Sequence, residues 1–239
     1  MASNEAAAVE LTAHADHFVD AAHERRAAQF GMWLFLANEI LLFGPLFTAF
    51  ALYRYLYRDT FAYLSAVHLD WKLGTVNTVV LLVSSFTVVV AGWAARCRRS
   101  IWVGHALIAT IVLAGGFLVV KYFEYTHKFH EGLLPGKYFT LDLAHDVALH
   151  MESLREMGLN PAQMRIGPGA SMFFALYFLI TGLHGLHVVI GMGVLGWMAV
   201  RAYRGEFAVR NDTPVELSGL YWHLVDLIWI FVYPTLYLL

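Results

Sequence analysis

The sequence predicts an all-α protein: a polytopic membrane helical bundle with five transmembrane helices and one long extracytoplasmic loop. Three observations predict it: the composition, five long stretches almost free of charge, and the charged and aromatic residues gathered at the ends of those stretches. Of 239 residues, 59% are hydrophobic and 14% charged, with a mean hydropathy of +0.58. That leaves too little polar surface to cover a water-soluble globule of this size. A bilayer core takes about 20 helical residues at about 1.5 Å each, and the stretches near 31–56, 72–95, 101–125, 169–200 and 217–239 each suffice.

The first stretch carries one acid, Glu39, in an otherwise apolar run. In the second, residues 73–93 hold no charge, and Arg96-Cys97-Arg98-Arg99 stops it. The third ends with Lys121 and Glu124 in its last turns. The fourth is longer than a bilayer requires, so it is expected to tilt or project beyond the lipid. Tyr53, Tyr55, Trp71, Trp102, Trp197, Tyr233 and Tyr237 lie where interfacial aromatic belts are expected.

The only long connection, 128–168, contains Leu143, Val147, Met151 and Leu154 at helical spacing, followed by Gly158 and Pro161. An amphipathic helix over 141–157 outside the lipid is expected, docked on a partner. The sixteen Lys and Arg divide evenly between the two sides. Density near the helix ends therefore decides orientation: Arg25, Arg26, Arg96, Arg98, Arg99, Arg201 and Arg204 place residues 1–29 in the cytoplasm and the C-terminus outside. Residues 1–29 lack the apolar centre of a signal peptide, so no cleaved segment is expected. Residues 30–239 read as one membrane domain.

Composition also excludes. A net charge of −2 with scattered cations argues against a nucleic-acid partner. The single Cys97 permits neither an intrachain disulfide nor a multi-thiolate metal site.

The polar residues inside the spans carry the chemistry. Glu39 lies about 12 Å along the first helix, where a carboxylate is costly unless neutral, paired or hydrated; a functional role is the default reading and a bond to a neighbouring helix the plainer one. His184 and His187 stand one turn apart beside Gly182 and Gly185, which with Gly193 and Gly196 form a narrow arc suited to close helix approach. Interhelical hydrogen bonding is expected of these histidines. Two His at i, i+3 on one helix cannot be opposite axial ligands of one haem, and nothing nearby completes a metal site. Glu216, His223 and Asp226 share roughly one face of the fifth span and can bond the fourth-span histidines or carry protons. Lys121 and Glu124 are expected to pair near the outer interface, and Asn77, Ser84, Ser85 and Thr87 to join helices.

At these residues the chain resembles cytochrome c oxidase subunit III, the haem-copper terminal oxidase subunit 3 family, in its five-helix bacterial form. The Gly31-Met32-Trp33-Leu34-Phe35 segment leading to Glu39 resembles the family's carboxylate-bearing helix, and Asn77-Thr78 through Thr87 the next. Glu124-Tyr125 matches an acidic-aromatic pair, while 181–191 and 216–233 resemble the two C-terminal helices almost continuously. Two departures stand out: the two N-terminal helices of the seven-helix form, with half of its lipid-holding cleft, are absent, and the 128–168 loop is enlarged.

The resemblance implies an accessory subunit bound to the catalytic subunit I beside subunit II and other respiratory-complex subunits, in a cytoplasmic (inner) membrane complex that reduces oxygen to water and pumps protons. It implies haem and copper in those partners and none on this chain, bound phospholipid with a headgroup at Arg201, and support of proton uptake. It implies cytochrome c as electron donor, because Glu39 stands where quinol-type relatives often carry aspartate. Subunit III of a quinol oxidase or a nitric oxide reductase-associated homologue is the alternative. From another class, a haem b anchor would use His105, His184, His187 and His223; a transporter centred on Glu39 is disfavoured, since no inverted repeat or broken helix pair is apparent.

Overall fold

The computed structural model describes residues 20–156, 169–209 and 212–238. In chain order its α-helices are α1 (Ala21–Leu56), α2 (Arg58–His68), α3 (Trp71–Arg96), α4 (Ser100–His130), α5 (Leu143–Leu149), α6 (Met151–Glu156), α7 (Ala170–Tyr203), α8 (Glu206–Val209) and α9 (Thr213–Tyr237), with no strand among the described residues. Five are long and apolar enough to cross a membrane: α1, α3, α4, α7 and α9. They fall on the five expected stretches. α1 begins ten residues early because Asp20 caps it, its carboxylate accepting the His23 N–H.

Helices α3, α4, α7 and α9 pack into a bundle, and α1 leans on α7 and α9. The buried residues of α1 are Leu36, Glu39, Phe43 and Phe50, a stripe at helical spacing. Glu39 is therefore on the inward stripe. Asp70 caps α3 through the Lys72 and Leu73 N–H groups. The turn into α4 is closed by Arg98 at φ 58, with Arg98 N–H donating to the Ala95 carbonyl and Arg99 N–H to that of Ala94. This is a Schellman stop with arginine where glycine is usual.

Three expectations are corrected. The glycine arc of α7 does not carry the close approach: a Cβ on Gly185 or Gly193 would meet nothing within 4 Å, whereas one on Gly191 would lie 2.9 Å from the Trp222 ring. Residues 141–156 form two helices rather than one, because the backbone turns at His150, whose Nδ1 bonds the Asp146 carbonyl at 2.9 Å. Met157 lies outside the described residues. Asp146, off the apolar stripe of the expected amphipathic helix, is buried against α2, accepting from Tyr63 Oη at 2.6 Å and lying 3.0 Å from His68 Nε2. Burial and this carboxylate both push the Tyr63 phenol well above its usual range. The α2 helix, unforeseen in the sequence, thus anchors the loop to its own chain, with Leu154 buried and Leu149 left exposed.

Candidate functional site

Glu39 is held by a histidine. His187 Nδ1 lies 2.8 Å from the Leu183 carbonyl and Nε2 lies 2.8 Å from Glu39 Oε2. A carbonyl only accepts, so Nδ1 carries hydrogen and the second nitrogen faces the carboxyl. The hydrogen bond between Nε2 and Oε2 then needs a hydrogen on one of those two atoms. Phe43 stands edge-on to the imidazole at 5.4 Å, and the Tyr221 hydroxyl donates to the His187 carbonyl at 3.0 Å. Three spans thereby fix one pair, which can store or share a proton.

His184, one turn earlier, behaves otherwise. It is fully buried between Phe117 and Trp229, with ring centroids 5.6 and 5.0 Å away, and neither nitrogen has a hydrogen-bond partner. Among the described residues it packs against aromatic rings and makes no interhelical hydrogen bond.

Around Glu124 a second buried cluster joins α4, α7 and α9. Its Oε1 accepts from Tyr177 at 2.7 Å, Tyr237 at 2.5 Å and Lys128 at 3.1 Å, and its Oε2 from Lys121 at 2.8 Å. Lys121 also donates to the Tyr237 hydroxyl and lies 4.7 Å over the Trp229 ring. The sequence points to Lys121 alone. Lys128, four residues beyond Glu124, could have been read from helical spacing; the two tyrosines from other helices could not.

The fifth-span stripe does not meet the fourth-span histidines. Glu216 accepts from Arg25 at 2.8 Å and Arg96 at 3.4 Å, His223 Nδ1 lies 2.7 Å from the Ser85 hydroxyl, and the Asp226 carboxyl is buried on the same side, toward Ser85. The facing element is α3, not α7. Ser84 accepts from the Trp222 indole at 3.1 Å and Thr87 bonds Thr110 at 2.7 Å, so these hydroxyls do join helices, whereas buried Asn77 has no partner. Arg201 donates to Glu206 at 2.8 Å and lies over the Trp197 and Phe207 rings.

His105 is exposed and bonds its own helix at Ile101, so the four histidines of a haem anchor do not converge. Among the described residues no three His, Cys, Asp or Glu side chains are placed to share a metal ion.

Five apolar helices with polar groups turned inward define a multi-pass α-helical membrane protein. The chain is similar to the subunit III family of the haem-copper oxidases: the family model described as Cytochrome c oxidase subunit III matches residues 130–239. Residues across the chain match the quinol oxidase subunit 3 of Bacillus spizizenii, 28% identical over 211 residues, covering 87% of this chain and 85% of that one. A probable cytochrome c oxidase subunit 3 of Rickettsia bellii is 27% identical over 237 residues, covering 90% and 69%. A heme-copper oxidase subunit I+III of Aeropyrum pernix is 26% identical, with 97% of this chain matching 24% of that longer protein. The chain thus spans about a quarter of the I+III protein and most of the separate subunits.

Proposed function

We propose that this chain is the accessory subunit III of a respiratory haem-copper oxidase with cytochrome c as donor, oxygen reduced to water and protons pumped by the complex. In this reading subunits I and II hold the haem and copper, and this chain braces subunit I, retains lipid and supports proton uptake. It lies in a bacterial cytoplasmic membrane with its N-terminus inside, its C-terminus outside and the 131–156 region outside, docked on a partner through the exposed side of α5 and α6. The observation that carries the reading is the Glu39–His187 pair, a buried acid tied to an imidazole across two spans in a chain similar to this family.

Arg201 supports lipid retention in a specific way. Met198, one turn before it, lines an apolar groove of about 350 Å³ with Met32, Phe35 and Tyr221. The Arg201 guanidinium reaches Met198 Sδ through Nη1 at 4.0 Å, and a phosphate there can replace or join Glu206. The second reading, a quinol oxidase subunit, is favoured by the quinol oxidase names of two relatives that match at 28% identity.

Purification through a tag on this chain in mild detergent tests the assignment. A haem-copper catalytic subunit should accompany it, and the chain stripped of partners should give no reduced-minus-oxidised haem bands. Haem bands from the isolated chain would replace this reading with the anchor. Turnover of the complex with reduced cytochrome c against quinol separates the two donors.

A further inference from the structure

We propose that His68 is a proton-binding site, and that the proton it takes up fastens the turn after α4 to α2. The inference depends neither on the oxidase reading nor on which side of a membrane the turn faces. His68, Glu131 and Asp146, the three groups that carry it, lie outside the five spans.

His68 ends α2, and both nitrogens of its imidazole face a carboxylate. Nε2 lies 3.0 Å from Asp146 Oδ2 on α5, and Nδ1 lies 3.8 Å from Glu131 Oε2 just beyond α4, with the side chain only 7% exposed. Asp146 Oδ2 also accepts from the Tyr63 hydroxyl at 2.6 Å. A carboxylate only accepts, so the hydrogen of a neutral imidazole sits on Nε2. The bare Nδ1 lone pair then faces Glu131, and the two repel. A proton on Nδ1 turns that opposition into an ion pair, and two acids then compensate one buried cation.

The surroundings give that proton a way in. His127 Nδ1 lies 3.2 Å from the other Glu131 oxygen, and His150 Nδ1 lies 3.5 Å from the other Asp146 oxygen. Imidazoles and carboxylates therefore alternate from exposed His127 through buried His68 to half-exposed His150. From α7 the group that meets His68 is the Phe174 ring, at 5.7 Å. The two His68 contacts differ in consequence. With His68 neutral, the Nε2 bond and Tyr63 still hold Asp146, so 141–156 stays in place. Glu131 loses its link to α2, and with it the turn in which the Thr140 N–H donates to the Gly132 carbonyl at 3.0 Å and Leu133 pairs with Phe139. Proton binding is thereby coupled to one short stretch rather than to the whole loop.

Amide exchange of the full chain in its assembled complex, followed by mass spectrometry and taken relative to the intrinsic rate at each pH, tests this. Imidazoles change charge between about pH 5 and 8, which sets the interval. Protection of 131–140 should fall about ten-fold as pH rises across it, the effect of roughly one charge-assisted contact, while 141–156 holds. His68→Gln can still donate to Asp146 but carries no charge, so it should remove the step and keep 131–140 at the weakly protected level throughout. Glu131→Gln should remove the step as well, at a side chain 36% exposed where the fold is not at risk. The double variant His127→Gln with His150→Gln should leave the step in place. The proposal is overturned if 131–140 in the parent keeps one level of protection across the interval, or if the step survives in either His68→Gln or Glu131→Gln. It is equally overturned if the double variant abolishes the step.

Discussion

His187 and Glu39, on the fourth and first spans, are joined by a hydrogen bond. The Leu183 carbonyl fixes hydrogen on Nδ1, leaving Nε2 and Oε2 to face each other at 2.8 Å. Glutamine at position 39 can donate its amide hydrogen to a neutral Nε2, so the bond survives while the proton-holding capacity is lost. Glu39→Gln should therefore leave oxygen reduction by the assembled complex largely intact while abolishing labelling of this chain by a hydrophobic carbodiimide. Loss of turnover in a fully assembled Gln variant would instead make Glu39 an obligatory proton carrier.

Among the described residues Glu124 is the only carboxylate bonded to Lys121 and Lys128, and all three are nearly excluded from solvent in the bundle. Removing it leaves two buried ammonium groups unmatched. Glu124→Gln should cost on the order of 3–5 kcal/mol of stability, read as a lowered Tm or loss of the chain from the complex. Tyr177→Phe removes one bond to a charged group and should cost roughly 1.5–3 kcal/mol. A Glu124 variant as stable as the parent would show that the cluster contributes nothing to holding α4, α7 and α9 together.

The 131–156 region is tied to α2 through Tyr63 and Asp146. The Tyr63 phenol is raised by burial first and by Asp146 second, so the folded state keeps it protonated where an unfolded tyrosine would ionise. Its contribution is therefore complete below about pH 10, the ordinary tyrosine value, and declines as pH rises above it. Amide protection across 141–156, taken relative to the intrinsic exchange rate at each pH, should hold up to about pH 10 and fall above it, with Tyr63→Phe already less protected at neutral pH. An exchange pattern unchanged by Tyr63→Phe would refute the anchor.

Much of this was legible because bilayer length and helical period are local properties. The five spans follow from them directly. What one span meets on another does not, because it depends on how helices rotate about their own axes. Hence His187 faced Glu39 rather than the fifth span, and Ser85 took His223. Sequence spacing also misassigned the close contact to a repeating glycine arc, when Gly191 is the position opposite a large side chain. The α2 helix escaped notice since it is short and less apolar than the spans.

Gly191 is the point where α7 meets Trp222 most closely, a Cβ there falling 2.9 Å from the ring. Trp222 is fully buried and tied by its indole to Ser84, so it has little freedom to retreat. Gly191→Ala should thus cost about 1–3 kcal/mol through overpacking, despite alanine's better helix propensity. Gly193→Ala, two residues on with open space, should be neutral or slightly stabilising. Comparing the Tm of the two variants in one detergent checks both, and equal values would mean that the interface yields.

Arg201 already has one partner, which sets the terms for any lipid there. Its Nε donates to Glu206 at 2.8 Å while the guanidinium plane lies over Trp197 and Phe207. Nη1 touches only the weak acceptor Met198 Sδ at 4.0 Å, which a phosphate can displace, and Glu206 opposes that phosphate by charge repulsion. Arg201→Gln should therefore reduce the anionic phospholipid retained by the complex and shorten its working life during turnover. Glu206→Gln should do the opposite to retention, raising it or leaving it unchanged. Each variant, purified in one detergent and analysed for lipid phosphorus by class, gives the answer: if Arg201→Gln keeps the full lipid complement, the arginine serves only to fasten α8 to the end of α7.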